Sequence, residues 1–190
     1  MGGGVCRRCW EGVQGPMMPV PPAPHIDQAW ALGRYDGPLG QLVRQAKFGR
    51  NLHMADAVGA WMSQGIAALP GCDLVVPVSA PWWRLLRRGM DLPRGLARHV
   101  ASEMGVPMAM ALRQTGGPSQ VGQDKAGRQV NIQGRFSARC AIPPRVMLVD
   151  DVQTTGATLG ECARALRAGG AVWVGSCVAV LRAWRGVKIS

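Results

Sequence analysis

The sequence predicts an α/β fold: a doubly wound, mostly parallel sheet with helices on both faces. Two short apolar runs rich in β-branched residues, at 73–78 and 145–149, have the composition of buried strands. The segments around them repeat apolar residues at helical spacing, i, i+3, i+4 and i+7. Strands that alternate with helices build a sheet of this kind, and its ligands bind beyond the carboxyl ends of the strands.

The first predicted elements are two helices that follow an irregular segment. Residues 11–25 contain five prolines and two glycines, which disfavours helix and sheet interiors and predicts a linker. A helix is expected to begin at Pro38 and end at Gly49, because the apolar residues between them fall on one face. A second helix is expected over 53–69, before the Pro-Gly pair that follows it.

The remaining elements alternate to the end of the chain. In order, they are helix 92–104, strand 108–112, strand 145–149, helix 158–168 and a closing strand region over 171–181. Residues 113–133 are polar and contain four glycines, which predicts a long loop of the kind that carries function in a compact domain.

Size and composition favour one domain. We expect it over 26–190, preceded by a reduced Cys- and Pro-rich segment over 1–25. Apolar residues make up 47% of the chain, but no apolar run approaches the roughly 18 to 20 residues of a membrane span. The N-terminus shows no secretory signal, so we expect a soluble protein in the cytoplasm.

The net charge indicates which class of ligand the chain binds, and the positions of the cysteines indicate their oxidation state. The net charge of +11 favours polyanionic partners, either nucleic acid or a substrate with several phosphates. The basic residues are spread along the chain, which favours the phosphate-rich substrate over a nucleic-acid arm. Four cysteines fall in or beside apolar stretches and are expected to be reduced core residues: Cys72, Cys140, Cys162 and Cys177.

The most informative motif follows the apolar strand at 146–149. Asp150 and Asp151 come directly after the strand, and Thr154-Thr155-Gly156-Ala157-Thr158 then leads into a helix. Free N–H groups at a helix start, together with threonine hydroxyls, can hold a phosphate, and Gly156 allows close backbone approach. The aspartates would repel that phosphate but can accept hydrogen bonds from the hydroxyls of an adjoining sugar. The pattern therefore predicts a sugar-phosphate site.

Two alternatives exist for this segment. The aspartates can cap the helix while the threonines and the glycine form an ordinary turn, roles that Asp and Thr often fill. A receiver-type domain also carries paired acids after a strand, where they bind magnesium and accept a phosphoryl group. Such acids normally lie near the start of the domain, whereas these lie at positions 150 and 151 of 190.

Residues 146–158 resemble the phosphoribosyl pyrophosphate signature of type I phosphoribosyltransferases. The resemblance implies a sheet of that kind. It also implies that residues 154–158 hold the 5′-phosphate of phosphoribosyl pyrophosphate and that Asp150 and Asp151 contact its ribose hydroxyls.

The same resemblance implies a second half of the site, for the leaving pyrophosphate. The loop after the first predicted strand would meet the pyrophosphate through Ser79 and Ala80, with Arg87 and Arg88 close behind. Mg²⁺ together with arginine would stabilise the charge that grows on this leaving group. The 113–133 segment would be a lid that excludes water from the reacting sugar.

Short motifs elsewhere resemble the ComF/GntX family along most of the chain. They are Tyr35-Asp36-Gly37-Pro38-Leu39, Gln45-Ala46-Lys47-Phe48-Gly49, Val76-Pro77-Val78, Arg87-Arg88-Gly89, and the separate residues Gln120, Arg128, Asn131 and Phe136. That family is associated with DNA uptake in competence, and its members are phosphoribosyltransferase-like, often with an undefined acceptor.

The chain departs from that family in two places. Cys6 and Cys9 have half the spacing of a zinc knuckle, and the second pair is missing. His25 could supply a third ligand, but a structural zinc is not expected. The run after Arg88-Gly89 is Met-Asp-Leu, where family members usually have an aromatic residue, Asn and Gln.

Two functions follow from these patterns. The first is a magnesium-dependent transferase that moves ribose 5-phosphate from phosphoribosyl pyrophosphate to an unknown acceptor. The second is a non-catalytic module in DNA uptake that uses the pocket to bind or sense a ligand, with single-stranded DNA or competence proteins as partners. Trp82 and Trp83 beside Arg84 could stack on DNA bases, although such residues more often pack.

Overall fold

A five-stranded sheet forms the centre of the molecule. The structure is a computed structural model that describes residues 15–49, 51–79, 89–114 and 134–182. The strands are β1 (Met18–Val20), β2 (Gln28–Arg34), β3 (Leu74–Pro77), β4 (Leu112–Gln114), β5 (Phe136–Ala138), β6 (Arg145–Gln153) and β7 (Trp173–Leu181). The helices are α1 (Pro38–Gly49), α2 (Leu52–Gly65), α3 (Leu92–Met104) and α4 (Ala157–Ala168), with a 3₁₀ turn at Ile66–Ala68.

The sheet order is β1-β2-β7-β6-β3. The pairs β2·β7, β7·β6 and β6·β3 are parallel, and only the edge strand β1 runs antiparallel to its neighbour. The strands β4 and β5 form a separate antiparallel ribbon. The predicted mostly parallel α/β sheet is therefore confirmed, and the carboxyl ends of β3, β6, β7 and β2 meet at one edge.

Helices cover both faces of this sheet. Successive residues of β6 point to opposite sides, so Met147 and Val149 pack with α1, α2 and α3, whereas Val146 and Leu148 pack with α4 and the β4–β5 ribbon. Burial on both faces explains why β6 is a continuous apolar run instead of an alternating one.

Local signals explain the helix ends. The side chain of Asn51 accepts a hydrogen bond from the Met54 N–H at 3.1 Å, which caps the start of α2. Pro93 lies in the first turn of α3, and Gly105, with φ of 66°, ends that helix in the left-handed conformation. The bounds of α1 and α3 agree with those expected from the apolar spacing.

The structure differs from the sequence-based expectations in the N-terminal region. Residues 18–20, inside the segment expected to be irregular, form β1, and β2 was not anticipated at all. Proline is compatible with β1 because this strand lies at the sheet edge, where an N–H is not required on the outer side. The buried Met17 and Ala23 pack into the cores, and the domain boundary at residue 25 stays a prediction.

Three other elements begin or end at different residues. The helix α2 ends at Gly65 and continues only as a 3₁₀ turn, short of residue 69. The strand expected over 108–112 is instead a single bridge from Met108 to Val75, followed by β4 in the separate ribbon. Most important for the site, β6 continues through Asp150 and Asp151 to Gln153, because Asp150, Val152 and Gln153 keep their register with β7.

Cys140 is exposed, so its expected place in the core was wrong; Cys72, Cys162 and Cys177 are buried as free thiols. Burial raises the pKa of each of these three thiols, which keeps them protonated and unreactive.

Among the described cysteines, we therefore expect iodoacetamide to modify Cys140 first, as measured by mass spectrometry of peptides over time. Cys140→Ser should abolish that early product, and equally fast labelling of Cys177 would contradict the structure.

No helix in the described part of the chain is long and apolar enough to cross a membrane.

Candidate functional site

The acidic pair lies at the carboxyl edge of the sheet, in the strand β6 between β7 and β3. Asp150 is paired with Val178 of β7, and β6 ends three residues later at Gln153. The Thr154–Gly156 turn then connects the strand directly to α4. The sheet thus brings the two predicted parts of the site, the acidic pair and residues 154–158, together within one strand-turn-helix unit. We call residues 154–158 the phosphate loop, after their predicted role.

The two aspartates occupy different environments because neighbouring strand residues point to opposite faces. Asp151 is 3% exposed and faces α1, whose Lys47 Nζ lies 2.9 Å from Oδ1 and 2.6 Å from Oδ2 of the carboxylate. Asp150 is partly exposed, and its Oδ1 accepts a hydrogen bond from the Asp151 N–H at 2.8 Å. Asp151 is therefore held in a buried ion pair, whereas Asp150 is the carboxylate of the two that a ligand can reach.

The pKa of the Asp150 carboxyl is raised well above its ordinary value. Burial is the main cause and the charge of Asp151 the second, while the Asp151 N–H and Lys47 act in the opposite direction. A carboxyl whose folded-state pKa is raised stays protonated to a higher pH in the folded chain than in the unfolded chain. Its contribution to stability therefore falls as the pH rises from the ordinary pKa of 3.8 through the raised value.

The turn after β6 presents an open helix start. Thr154, Thr155, Ala157 and Thr158 are exposed, and no side chain of the described residues caps α4. The nearest substitute is Thr155 Oγ1, to which the Ala157 N–H donates at a long 3.4 Å. The aspartates do not act as caps, so the alternative in which they cap the helix is wrong. The N–H groups of α4 that follow Ala157 are available to an anion.

Gly156 has a structural role that the sequence interpretation missed. Its φ is 75°, and a Cβ at this position would lie 2.7 Å from the Cβ of Ala23. The next turn of α4 also lies close to the N-terminal segment, since a Cβ on Gly160 would lie 3.0 Å from the carbonyl oxygen of Pro24. The N-terminal Pro-rich segment therefore packs against the phosphate loop, and glycine is required on the inner side of the loop as well as toward a ligand.

On the other side of β6, the chain after β3 approaches the acidic pair. The Val78 N–H donates to the Val149 carbonyl oxygen at 2.8 Å, which holds Ser79 next to the strand that carries Asp150. Ser79 is partly buried, and its hydroxyl contacts the Met110 sulfur at 3.9 Å. The binding role of Ser79 stays a prediction.

Other predicted residues lie outside the described part of the chain. They are Cys6, Cys9, Ala80, Trp82, Trp83, Arg84, Arg87, Arg88 and most of the 113–133 segment. Their roles stay predictions. His25 is described; it adopts a positive φ of 65°, and its carbonyl oxygen accepts a hydrogen bond from Arg167 at 2.9 Å.

Within the described residues, no group of three or more His, Cys, Asp or Glu side chains could hold a metal ion. Magnesium, however, often takes only one or two carboxylates from a protein and the rest of its ligands from substrate phosphates and water. The partly exposed Asp150 is a carboxylate of this kind.

Sequence comparison provides a distant relative. No protein-family model matches the chain. The chain is similar to the DNA utilization protein YhgH of Salmonella typhimurium, with 28% identity over 185 residues that cover 90% of this chain and 81% of the relative.

Structure comparison gives similarities of low identity. A glutamine phosphoribosylpyrophosphate amidotransferase from B. subtilis has a TM-score of 0.45 and 22% identity over 65% of this chain, which spans only 25% of that enzyme. The adenine phosphoribosyltransferase of Leishmania donovani has a TM-score of 0.48 and 13% identity, with 92% of both chains covered. The adenine phosphoribosyltransferase of Leishmania tarentolae has a TM-score of 0.47 and 13% identity, with 87% of this chain and 94% of that chain covered.

Proposed function

We propose that this chain binds phosphoribosyl pyrophosphate at the carboxyl edge of its sheet and transfers ribose 5-phosphate to an acceptor. The observation that carries the proposal is the exposed, uncapped Thr154–Thr158 loop directly beside the partly exposed carboxylate of Asp150. A helix start attracts phosphate, and a carboxylate accepts hydrogen bonds from sugar hydroxyls. A ribose 5-phosphate unit carries both of these groups on one small sugar.

The described residues divide the work of binding in this proposal. The N–H groups and hydroxyls of the 154–158 turn hold the 5′-phosphate, and Asp150 accepts from the ribose hydroxyls. Lys47 neutralises the buried Asp151, so the phosphate does not meet a second uncompensated negative charge. The donor's own phosphates, with Asp150 and water, suit Mg²⁺, which would stabilise charge on the leaving pyrophosphate.

Transfer breaks the bond between C1 of the ribose and the pyrophosphate oxygen, and both electrons of that bond leave with the pyrophosphate. The acceptor supplies the electron pair of the new bond to C1. Ser79 lies at the end of β3, on the side of β6 where the sequence predicts the pyrophosphate. The proposed setting is the cytoplasm, because a donor with this many charges does not cross a bilayer by itself.

Asp150→Asn should change the affinity for phosphoribosyl pyrophosphate and the stability of the free protein in opposite directions. We expect the affinity for phosphoribosyl pyrophosphate with Mg²⁺ to fall about tenfold or more, since an amide accepts weaker hydrogen bonds than a carboxylate and also presents a donor to the ribose. The melting temperature of the free protein should rise at neutral pH, because the substitution removes a partly buried carboxyl whose pKa is raised.

Calorimetric titration and thermal unfolding measure the two effects. The matched control is Asp56→Asn on α2, an exposed carboxylate that pairs with His99 and should leave the affinity unchanged. Unchanged affinity in Asp150→Asn would remove the ribose assignment, and no binding by the unaltered protein would remove the proposed donor.

A second function is favoured by the similarity to YhgH, whose name describes DNA utilization, together with the net charge of +11. In this alternative, the chain binds phosphoribosyl pyrophosphate without turnover and acts in DNA uptake with single-stranded DNA or competence proteins. Pyrophosphate release separates the two functions. Release that depends on an added acceptor supports the transferase, whereas binding of the donor with no release for any acceptor class supports the non-catalytic module.

A further inference from the structure

Two arginines meet one tyrosine at the carboxyl edge of the sheet. Tyr35 directly follows β2, and its N–H donates to the Leu181 carbonyl oxygen at 2.9 Å. The Cζ atom of Arg44 lies 5.0 Å from the centre of the Tyr35 ring, and that of Arg182 lies 5.4 Å from it. Arg44 Nη1 also donates to the Tyr35 carbonyl oxygen at 3.2 Å. We call Tyr35, Arg44 and Arg182 the Arg-Tyr cluster.

No carboxylate of the described residues neutralises the charge of the Arg-Tyr cluster. Within the described residues, no Asp or Glu oxygen lies within ion-pair distance of Arg44 or Arg182. The nearby Asp36 is engaged by Arg34 at 3.3 Å. By contrast, Arg164 and Arg167 on α4 each have a carboxylate partner. Two guanidinium groups that share one ring repel each other, and a bound anion would offset that repulsion.

The cluster is a direct neighbour of the proposed donor site. The Arg182 N–H donates to the carbonyl oxygen of Gln153 at 2.9 Å, and Gln153 immediately precedes the phosphate loop. Tyr35 is partly exposed and Arg182 is exposed, so a ligand can reach them. The cluster lies beyond β7 and β2, whereas Ser79 lies beyond β3, on the other side of β6.

This arrangement suits the two reactants of the proposed transfer. In a displacement at C1, the acceptor approaches from the side opposite the departing pyrophosphate. If pyrophosphate leaves on the β3 side, the acceptor enters from the β7–β2 side, where the Arg-Tyr cluster is located. Guanidinium groups bind carboxylates through paired N–H donors and also stack on flat rings.

We propose that the Arg-Tyr cluster is the acceptor subsite and that the acceptor is a small aromatic or heteroaromatic acid. This inference rests on the proposed transferase function. The carboxylate of the acceptor binds Arg44 and Arg182, and its flat ring stacks on a guanidinium plane or on Tyr35. A nucleophilic atom of the ring forms the bond to C1 as pyrophosphate leaves with the bonding electrons, and any proton on that atom passes to water.

Ligand-detected NMR tests the subsite with benzoate as the probe, in protein saturated with phosphoribosyl pyrophosphate and Mg²⁺. Benzamide lacks the charge, and cyclohexanecarboxylate lacks the flat ring. We expect benzoate to bind more tightly than either, and Arg182→Gln and Arg44→Gln each to weaken it by about fivefold or more, the effect of losing one stacked or paired guanidinium. Arg98→Gln, an exposed arginine on α3, makes the same charge change and should have no effect.

The outcomes separate this inference from the proposed function. If phosphoribosyl pyrophosphate binds but benzoate binds equally to all three variants, the acceptor assignment is wrong and the donor site stands. If a single-stranded oligonucleotide binds and both cluster variants weaken it while benzoate does not bind, the surface serves nucleic acid and the inference is overturned. If phosphoribosyl pyrophosphate itself does not bind, the proposed function fails first. The effect of Arg182→Gln is easier to interpret than that of Arg44→Gln. Arg44 donates a hydrogen bond to the Tyr35 carbonyl oxygen, whereas the Arg182 side chain donates none to the described residues.

Discussion

Gly156→Ala should lower the free energy of unfolding by about 2–4 kcal/mol. Two causes contribute. Gly156 has a φ of 75°, which an L side chain adopts only at a cost, and the new Cβ would lie 2.7 Å from the Cβ of Ala23. Chemical denaturation measures the change, and calorimetry should show weaker binding of phosphoribosyl pyrophosphate because the loop must move.

Two further variants separate these causes. Ala23→Gly in the Gly156→Ala background removes the crowding but not the backbone strain, so it should restore part of the lost stability. Gly95→Ala is the matched control: Gly95 lies inside α3, where an added Cβ would meet no atom within 4 Å, and the change should stabilise by up to about 1 kcal/mol. If Ala23→Gly gives no recovery, the contact between the N-terminal segment and the phosphate loop does not determine the effect.

The central part of the fold could be predicted because its signals are local. The apolar spacing of α1 and α3 and the continuous apolar run of β6 each reflect the number of faces that the element buries. The strand β2 carries no such signal. It contains Gly33, has exposed polar residues at both ends, and follows a Pro-rich segment, so it is a strand because it pairs with β7 and β1.

In the site, too, the contiguous residues could be predicted from the sequence, but the contacts between residues far apart in the chain could not. Residues 150–158 are contiguous, so their chemistry could be predicted from the sequence directly. The partner of Asp151 could not, because Lys47 is 104 residues away and meets it only after α1 packs on the sheet. The short motif that contains Lys47 does not by itself indicate a role for the side chain. Likewise, the contact between Ala23 and Gly156 depends on the path of the N-terminal segment, which composition alone describes as a linker.

Lys47→Met should destabilise the protein by about 2–3 kcal/mol. The substitution keeps most of the apolar length of the side chain but leaves the carboxylate of Asp151, whose side chain is 4% exposed, without its cation. Breaking a fully buried ion pair costs about 3–5 kcal/mol, and the 22% exposure of the Lys47 side chain indicates that water can reach this one and reduce the cost. Denaturant unfolding at neutral pH measures the difference.

A double-mutant cycle isolates the ion pair. Asp151→Asn alone should cost less, about 1 kcal/mol, because the Lys47 ammonium can turn toward solvent. Lys47→Met with Asp151→Asn should be more stable than Lys47→Met alone, since no unpaired carboxylate remains, whereas additive losses would show that the two side chains do not interact. Arg94→Met, which removes an exposed cation on α3, should change stability by less than about 0.5 kcal/mol.

The same cycle tests how the two aspartates divide their roles. Both oxygens of Asp151 lie within ion-pair distance of Lys47, so the effect of Asp151 on the donor should depend mainly on this ion pair, whereas Lys47 acts on Asp150 through its charge. We therefore expect Asp150→Asn to weaken binding of phosphoribosyl pyrophosphate in both backgrounds, whether residue 47 is Lys or Met. For Asp151→Asn, most of the loss should disappear in the Lys47→Met background. A loss of equal size in both backgrounds would instead place an Asp151 oxygen on the ribose itself.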